Sequence, residues 1–308
     1  MTPSHSGSLR LFRFAGIQVY LHWSWFVVAL YEISSRMGSY RSPMWNVAEY
    51  LTLFAVVTMH EFGHALACRQ TGGEAREIIL WPLGGIAFVA PPQRPGAQLW
   101  SIAAGPLVNV VLAPVFWLLF VASAAWSRSP DVARFLLDMF ALNVFLLKFN
   151  LLPVYPLDGG QILRSLLWFV FGRAKSLKIA AVLGLVAIAG AAGYVLLRWS
   201  PDNWLWPAVF AIFLGQRCWV GLREARYLTA LERMPRHTGF ACPTCHAAPP
   251  GGPIWLCRAC RRAFDPFSTN AICPHCRTPQ QATVCVNCGS AHPIDAWRTQ
   301  EQPPVIDV

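Results

Sequence analysis

His60, Glu61 and His64 stand in a stretch, Tyr50 to Cys68, that is otherwise free of charged side chains. Helical residues four apart share a face, with Cβ atoms about 5–6 Å apart, so the two imidazoles can converge on one metal ion. Glu61 then projects beside that face, where a carboxylate can take a proton from water. Two histidines and a glutamate are costly in an apolar helix, and ionisable groups at membrane depth mark function. A catalytic zinc commonly has three protein ligands and one open position, so a third donor must come from elsewhere in the chain. Asp158 is the expected donor. It closes Asn150-Leu151-Leu152-Pro153-Val154-Tyr155-Pro156-Leu157-Asp158-Gly159-Gly160, where two prolines break a helix and two glycines permit a tight turn. An Asp-Gly-Gly is by itself often only a turn; beside His60 and His64 it reads as a metal site.

A second set of metal donors lies near the C-terminus. Four C-x-x-C units, Cys242/Cys245, Cys257/Cys260, Cys273/Cys276 and Cys285/Cys288, read as two tetrahedral structural zinc sites. The expected grouping is consecutive, the first two units on one zinc and the last two on another, with interleaving left open. A disulfide framework is the alternative, disfavoured if this segment faces a reducing cytoplasm. His246, His275 and His292 adjoin the units but are unneeded if each site has four thiolates. A module this small buries little core, so metal binding supplies folding energy.

The elements that must carry these residues follow from composition. Of 308 residues 55% are hydrophobic and 13% charged, against about 25% charged in soluble domains. This excludes a single soluble enzyme domain, a secreted disulfide scaffold and disorder as whole-chain readings. Runs without charge predict an all-α polytopic membrane protein with six spans, near 16–34, 47–68, 97–125, 134–156, 178–198 and 203–222. Residues 1–15 read as a cytoplasmic N-terminal segment, 16–233 as the membrane domain, 234–298 as a double zinc ribbon and 299–308 as a disordered tail. Tryptophans 23, 25, 45, 100, 126, 199, 204 and 206 cluster near span ends, as an interfacial belt does. Asp138 reads as a solvated residue at the outer end of span four, and Asn109 as a packing or hydrogen-bonding residue near the site. Arginine and lysine placement puts both termini in the cytoplasm, and the net charge of +10 suits anionic lipid headgroups.

His60–His64, Asn150–Gly160, Gly105-Pro106-Leu107-Val108-Asn109 and Trp81-Pro82-Leu83-Gly84-Gly85 together resemble the site-2 protease family of intramembrane zinc metalloproteases. Val19-Tyr20-Leu21-His22-Trp23-Ser24-Trp25-Phe26 looks like the first-helix signature of its sporulation-protease-like branch. The likeness covers roughly residues 14–222, and the tail resembles double zinc ribbons. The resemblance implies that His60, His64 and Asp158 ligate one catalytic zinc and that Glu61 is the catalytic base. It also implies a site opening toward the cytoplasm of the cell membrane. Asn150 could steady the oxyanion or cap broken backbone. Residues Glu77 to Trp81 and Ile86 to Val89 could form a hairpin whose edge receives an unwound substrate, as the family's membrane-embedded hairpin is thought to do. PDZ or CBS modules, frequent in relatives, are not evident. The expected function is hydrolysis of peptide bonds in or near transmembrane segments of membrane proteins, with the ribbon serving a protein partner or the substrate. Arg258, Arg261, Arg262 and Arg277 suit an acidic partner, lipid headgroups or nucleic acid, of which nucleic acid is disfavoured. A zinc transporter with a transit site at the histidines, or an inactive scaffold, are the competing readings.

Overall fold

The computed structural model describes residues 7–81, 84–127, 129–197 and 204–299, with backbone alone for residues 84–88, 205 and 206. Strand β1 (Ser8–Phe14) pairs antiparallel with β2 (Ile17–His22) across a turn at Ala15 and Gly16, both at positive φ. Helices α1 (Ser24–Ser35) and α2 (Met44–Gln70) lead to β3 (Glu74–Trp81), which lies parallel to β2 with Val19 opposite Ile78. Parallel neighbours need a crossover, and α1 with α2 forms it, so the histidine-bearing helix is laid against the sheet. Strand β4 (Gly84–Ala90) pairs antiparallel with β3 and ends the order β1-β2-β3-β4. Ile17, Val19, Leu21, Ile78 and Leu80 pack on Trp25 and on Ala65 and Cys68 of α2. Arg69 clasps the β1–β2 turn, donating to the carbonyls of Ala15 and Gly16 and, through Nε, to that of Ala75 at 2.9 Å.

The chain is thus mostly helical, but it carries a four-stranded sheet where only a hairpin was expected. The expected first span is corrected: Ile17–His22 is a strand, and α1, at 12 residues, rises only about 18 Å against roughly 30 Å of hydrocarbon. A buried parallel strand is apolar on both faces, so in sequence it merges with the apolar helix that follows. Trp25 belongs to the sheet's core, at 1% exposure, and not to an interfacial belt; Trp199 lies outside the described residues.

Helices α3 (Pro95–Trp126), α4 (Pro130–Asn150), α5 (Asp158–Phe171), α6 (Arg173–Leu197) and α7 (Leu205–Arg233) complete the membrane-type part. Among the described residues three helices, α2, α3 and α6, are long and apolar enough to cross a membrane, by length and composition alone. Helix α4 has the length but carries Asp131, Arg134, Asp138 and Lys148, and α7 is arginine-rich from Arg217 onward. Span four also ends earlier than expected. Helix α4 stops at Asn150, and after an irregular segment Asp158 opens α5, a helix the sequence reading did not foresee.

Asp138 is partly exposed but not merely solvated, because it is paired. It accepts from Arg36 at 2.8 Å and from the Tyr40 hydroxyl at 3.0 Å, and Arg36 also reaches Glu49 at 3.1 Å. This guanidinium is the direct link between buried Glu49 on α2 and Asp138 on α4. Replacing Arg36 with Met should destabilise the detergent-solubilised protein by about 1–3 kcal/mol, because Glu49 loses its cation. Thermal unfolding would register this, and Glu49→Gln in the same background should recover most of the loss.

The tail after α7 holds two hairpins, β5 (Trp255–Leu256) with β6 (Ala263–Phe264) and β7 (Thr283–Val284) with β8 (Ala291–His292). Phe267 and Trp297 form one small core with Cys242 and Cys285, and Phe264 forms another with Cys257 and Cys273. Arg173 at the start of α6 donates to the Val286 carbonyl at 3.4 Å, joining tail and helices. Apart from Thr299, the tail expected over 299–308 lies outside the described residues.

Candidate metal centre

Helix α2 brings His60 and His64 one turn apart on its buried face, with their rings edge to face at 4.8 Å. Their Nε2 atoms are 3.1 Å apart. Asp158 Oδ2 lies 3.1 Å from His60 Nε2 and 3.5 Å from His64 Nε2. Tetrahedral zinc, with bonds of about 2.0–2.2 Å, places donors about 3.3–3.6 Å apart, so this triangle needs to open by only about 0.2 Å on two sides to fit the ion. Asp158, 98 residues from His60, is delivered by the break between α4 and α5. Glycine is required there: a Cβ on Gly159 would overlap the Leu151 carbonyl, and one on Gly160 would overlap the backbone at Val154 and Tyr155. The first turn of α5 can therefore lie against the preceding loop.

Each imidazole is held from behind. His60 Nδ1 donates to Asn109 Oδ1 at 2.6 Å, and His64 Nδ1 donates to the Ser101 carbonyl at 2.9 Å. Both partners come from α3, and both rings turn Nε2 toward Asp158. Helix α3 approaches closely because Gly105 faces the two rings. A Cβ there would overlap His64 and come within 2.9 Å of His60 Nε2. Glu61 is buried beside His60 on the same helix. Asn150, the last residue of α4, is half-buried. Asn109, expected near the site without a specific partner, thus meets His60, while Ser101 and Asn143 are site neighbours that spacing alone does not mark. Asn143 had a legible signal, a lone amide inside the apolar run Met139 to Leu147.

The eight paired cysteines form two clusters, but not the consecutive ones expected. Cys242 and Cys245 meet Cys285 and Cys288, while Cys257 and Cys260 meet Cys273 and Cys276. The pairing is nested: the outer units close around the inner ones. Sulfur–sulfur distances of 3.6–3.7 Å across each cluster suit zinc, whose bonds of about 2.3 Å to sulfur place tetrahedral thiolates about 3.7–3.8 Å apart. Burial raises the Cys242 thiol, but hydrogen bonds from Ser290 and from the amides of Cys245 and Thr244 outweigh it, holding it at about 6. Thr278, through its hydroxyl and its amide, lowers Cys276 to about 6. The neighbouring thiols Cys245, Cys260 and Cys285 are pushed up instead, so a bound metal would have to displace their protons.

Nesting has a direct test. Changing Cys257 and Cys260 together to Ser should remove one zinc per chain and expose only Cys273 and Cys276 to alkylation. Consecutive pairing would expose Cys242 and Cys245 instead, and mass spectrometry of the labelled peptides separates the two.

Known proteins resemble this chain over the region that carries these residues. Peptidase family M50 matches over residues 48–125 and 123–192, which include His60, Glu61, His64 and Asp158. The chain is 35% identical to zinc metalloprotease MJ0392 of Methanocaldococcus jannaschii over 177 residues, covering 58% of this chain but only 50% of that protein's length. It is 25% identical over 228 residues to stage IV sporulation protein FB of Bacillus subtilis, covering 72% of each. The solved site-2 protease from Methanocaldococcus jannaschii superposes with a TM-score of 0.50 at 29% identity, over 70% of this chain and 95% of that one. Helices apolar enough for a bilayer, a two-histidine, one-aspartate donor triangle and these matches converge: the chain belongs to peptidase family M50, the site-2 proteases.

Proposed function

We propose that this chain is a zinc-dependent intramembrane endopeptidase that hydrolyses peptide bonds in or near transmembrane segments of membrane-protein substrates. The observation that carries the reading is the convergence of His60 Nε2, His64 Nε2 and Asp158 Oδ2, with buried Glu61 adjoining His60. When bound by these three donors, zinc supplies a Lewis acid that polarises water and the scissile carbonyl. Glu61 takes a proton from the attacking water and returns it to the leaving amine. Asn150 steadies the oxyanion from the end of α4.

A helical substrate already hydrogen-bonds each scissile carbonyl internally, so it must unwind before attack. Strand β4 ends the sheet order, and its outer edge suits an extended peptide backbone. A cell-membrane protein with both termini and the site's opening on the cytoplasmic side requires an even number of crossings, so at least one helix besides α2, α3 and α6 must cross. The two cysteine clusters hold structural zinc, up to two ions, and the ribbon serves partner or substrate recognition. Arg258, Arg261, Arg262 and Arg277 are exposed on the inner module, favouring an acidic protein segment. Phe264 and Phe267 are buried in the tail's cores, and Trp255 packs edge-on against Phe267, which disfavours base stacking.

The test is a comparison of membrane proteomes from cells carrying the wild type or Glu61→Gln. Uncleaved membrane proteins should accumulate with the variant alone. Identical proteomes, together with no cleavage of helical substrates by the purified protein, would overturn the protease reading in favour of transport or scaffolding.

A further inference from the structure

Asn109 is 0% exposed on α3 and Asn143 is 1% exposed on α4, and neither side chain is used by the chemistry above. Two buried amides placed side by side are costly unless every donor and acceptor is matched. Here their orientations follow one from another. Asn143 Nδ2 lies 2.8 Å from the Asn109 backbone carbonyl, which can only accept, so this end of Asn143 is the amide nitrogen. Asn143 Oδ1 therefore faces Asn109, 2.8 Å from Nδ2, which donates to it. Asn109 is then left with Oδ1 toward His60, 2.6 Å from Nδ1. An acceptor at that point requires the proton of neutral His60 to sit on Nδ1. The Nε2 lone pair is thereby directed at the donor triangle with His64 and Asp158.

We infer that Asn143 is a positioning residue for the metal centre: it locks the Asn109 amide so that His60 presents Nε2 as a ligand. This rests on the metalloprotease reading of His60, His64 and Asp158. Without Asn143, the Asn109 amide can flip and turn its NH2 toward His60 Nδ1. That stabilises the opposite tautomer, whose proton occupies the metal-binding nitrogen. The relay crosses three helices, from α4 through α3 to α2. It ties the ligand on α2 to the helix whose C-terminal break delivers Asp158.

The experiment uses the full chain in detergent. The cysteine clusters are filled with zinc, which is spectroscopically silent, and the buried site is stripped and titrated with Co2+. Visible absorption without sulfur charge-transfer bands reports binding by nitrogen and oxygen donors. Asn109→Ala should weaken Co2+ binding by about 10–100-fold, as loss of an outer-shell partner does, and Asn143→Ala should weaken it by about 10-fold. The double variant should bind no more weakly than Asn109→Ala, since Asn143 acts through Asn109. Asn143→Ser, which keeps one hydrogen bond in place of two, covers the case in which the alanine variant misfolds and should fall between it and the wild type. Thermal stability and tail zinc content measured alongside identify a merely structural loss.

Wild-type affinity in both Asn143 variants, or additive losses in the double variant, overturns the inference while leaving the metal site standing. A wild-type protein that binds no Co2+ outside its cysteines overturns the metalloprotease reading itself.

Discussion

Glu61→Gln should lower the rate of peptide-bond cleavage by about 100- to 10,000-fold, the range a positioned general base contributes, while zinc content and fold stay unchanged. The side chain is buried next to His60, and glutamine keeps its size and its hydrogen-bonding capacity. What it loses is the ability to accept a proton from water and pass it to the leaving amine. The three donors, His60, His64 and Asp158, are untouched, so the metal should remain. A purified-protein assay on a helical membrane substrate, paired with metal analysis, reads both quantities from one preparation. Loss of cleavage with full zinc occupancy is the signature of a base. Simultaneous loss of metal would mean that Glu61 instead supports the ligands. A transport role makes a different prediction, since zinc flux should survive the substitution.

Gly105→Ala should cost as much by a wholly different route. One methyl group added at this position would overlap the His64 ring and approach His60 Nε2 to 2.9 Å. Relief requires α3 to move off α2 or His64 to leave its rotamer, and either change opens the donor triangle. Zinc affinity at the buried site should fall by about 100-fold or more, at or beyond what loss of an outer-shell partner costs, and cleavage should fall with it. Gly190→Ala is the matched control: its added carbon meets nothing within 4 Å on α6, and the variant should behave as wild type. Alanine is the better helix former, so neither change should suffer from backbone propensity. If Gly105→Ala binds zinc with wild-type affinity, the close packing of α3 against the two rings is not what shapes the site.

Much of this chemistry is written in short-range spacing. His60 and His64 are four apart, and helical geometry alone turns them to one face with Glu61 alongside. Each C-x-x-C unit is likewise a local device, legible without knowledge of the fold. Pro153, Pro156, Gly159 and Gly160 mark where a helix must break, and the scarcity of charge marks the membrane class. What these signals share is that the interacting residues lie within a turn or two of each other.

The remainder depends on which distant segments meet, and local periodicity carries no record of that. Spacing could nominate Asp158, but bringing its carboxylate within 3.1 Å of an imidazole 98 residues away took the α4–α5 break. The cysteine units bear no label saying whether they close consecutively or nested; the tail's two small cores decided it. Strand β2 looks like the beginning of an apolar helix until β3 arrives parallel to it across the α1–α2 crossover. Asn143 is one amide among apolar residues until α3 sets Asn109 against it. The sequence by itself determined the kind of candidate donors, the turn of helix that carries two of them and the membrane character of the chain. Only the tertiary structure decided the third donor's arrival, the grouping of the cysteines and the amide relay behind His60, because each is a contact closed over a long loop, whose partners are chosen by packing of whole elements rather than by neighbouring residues.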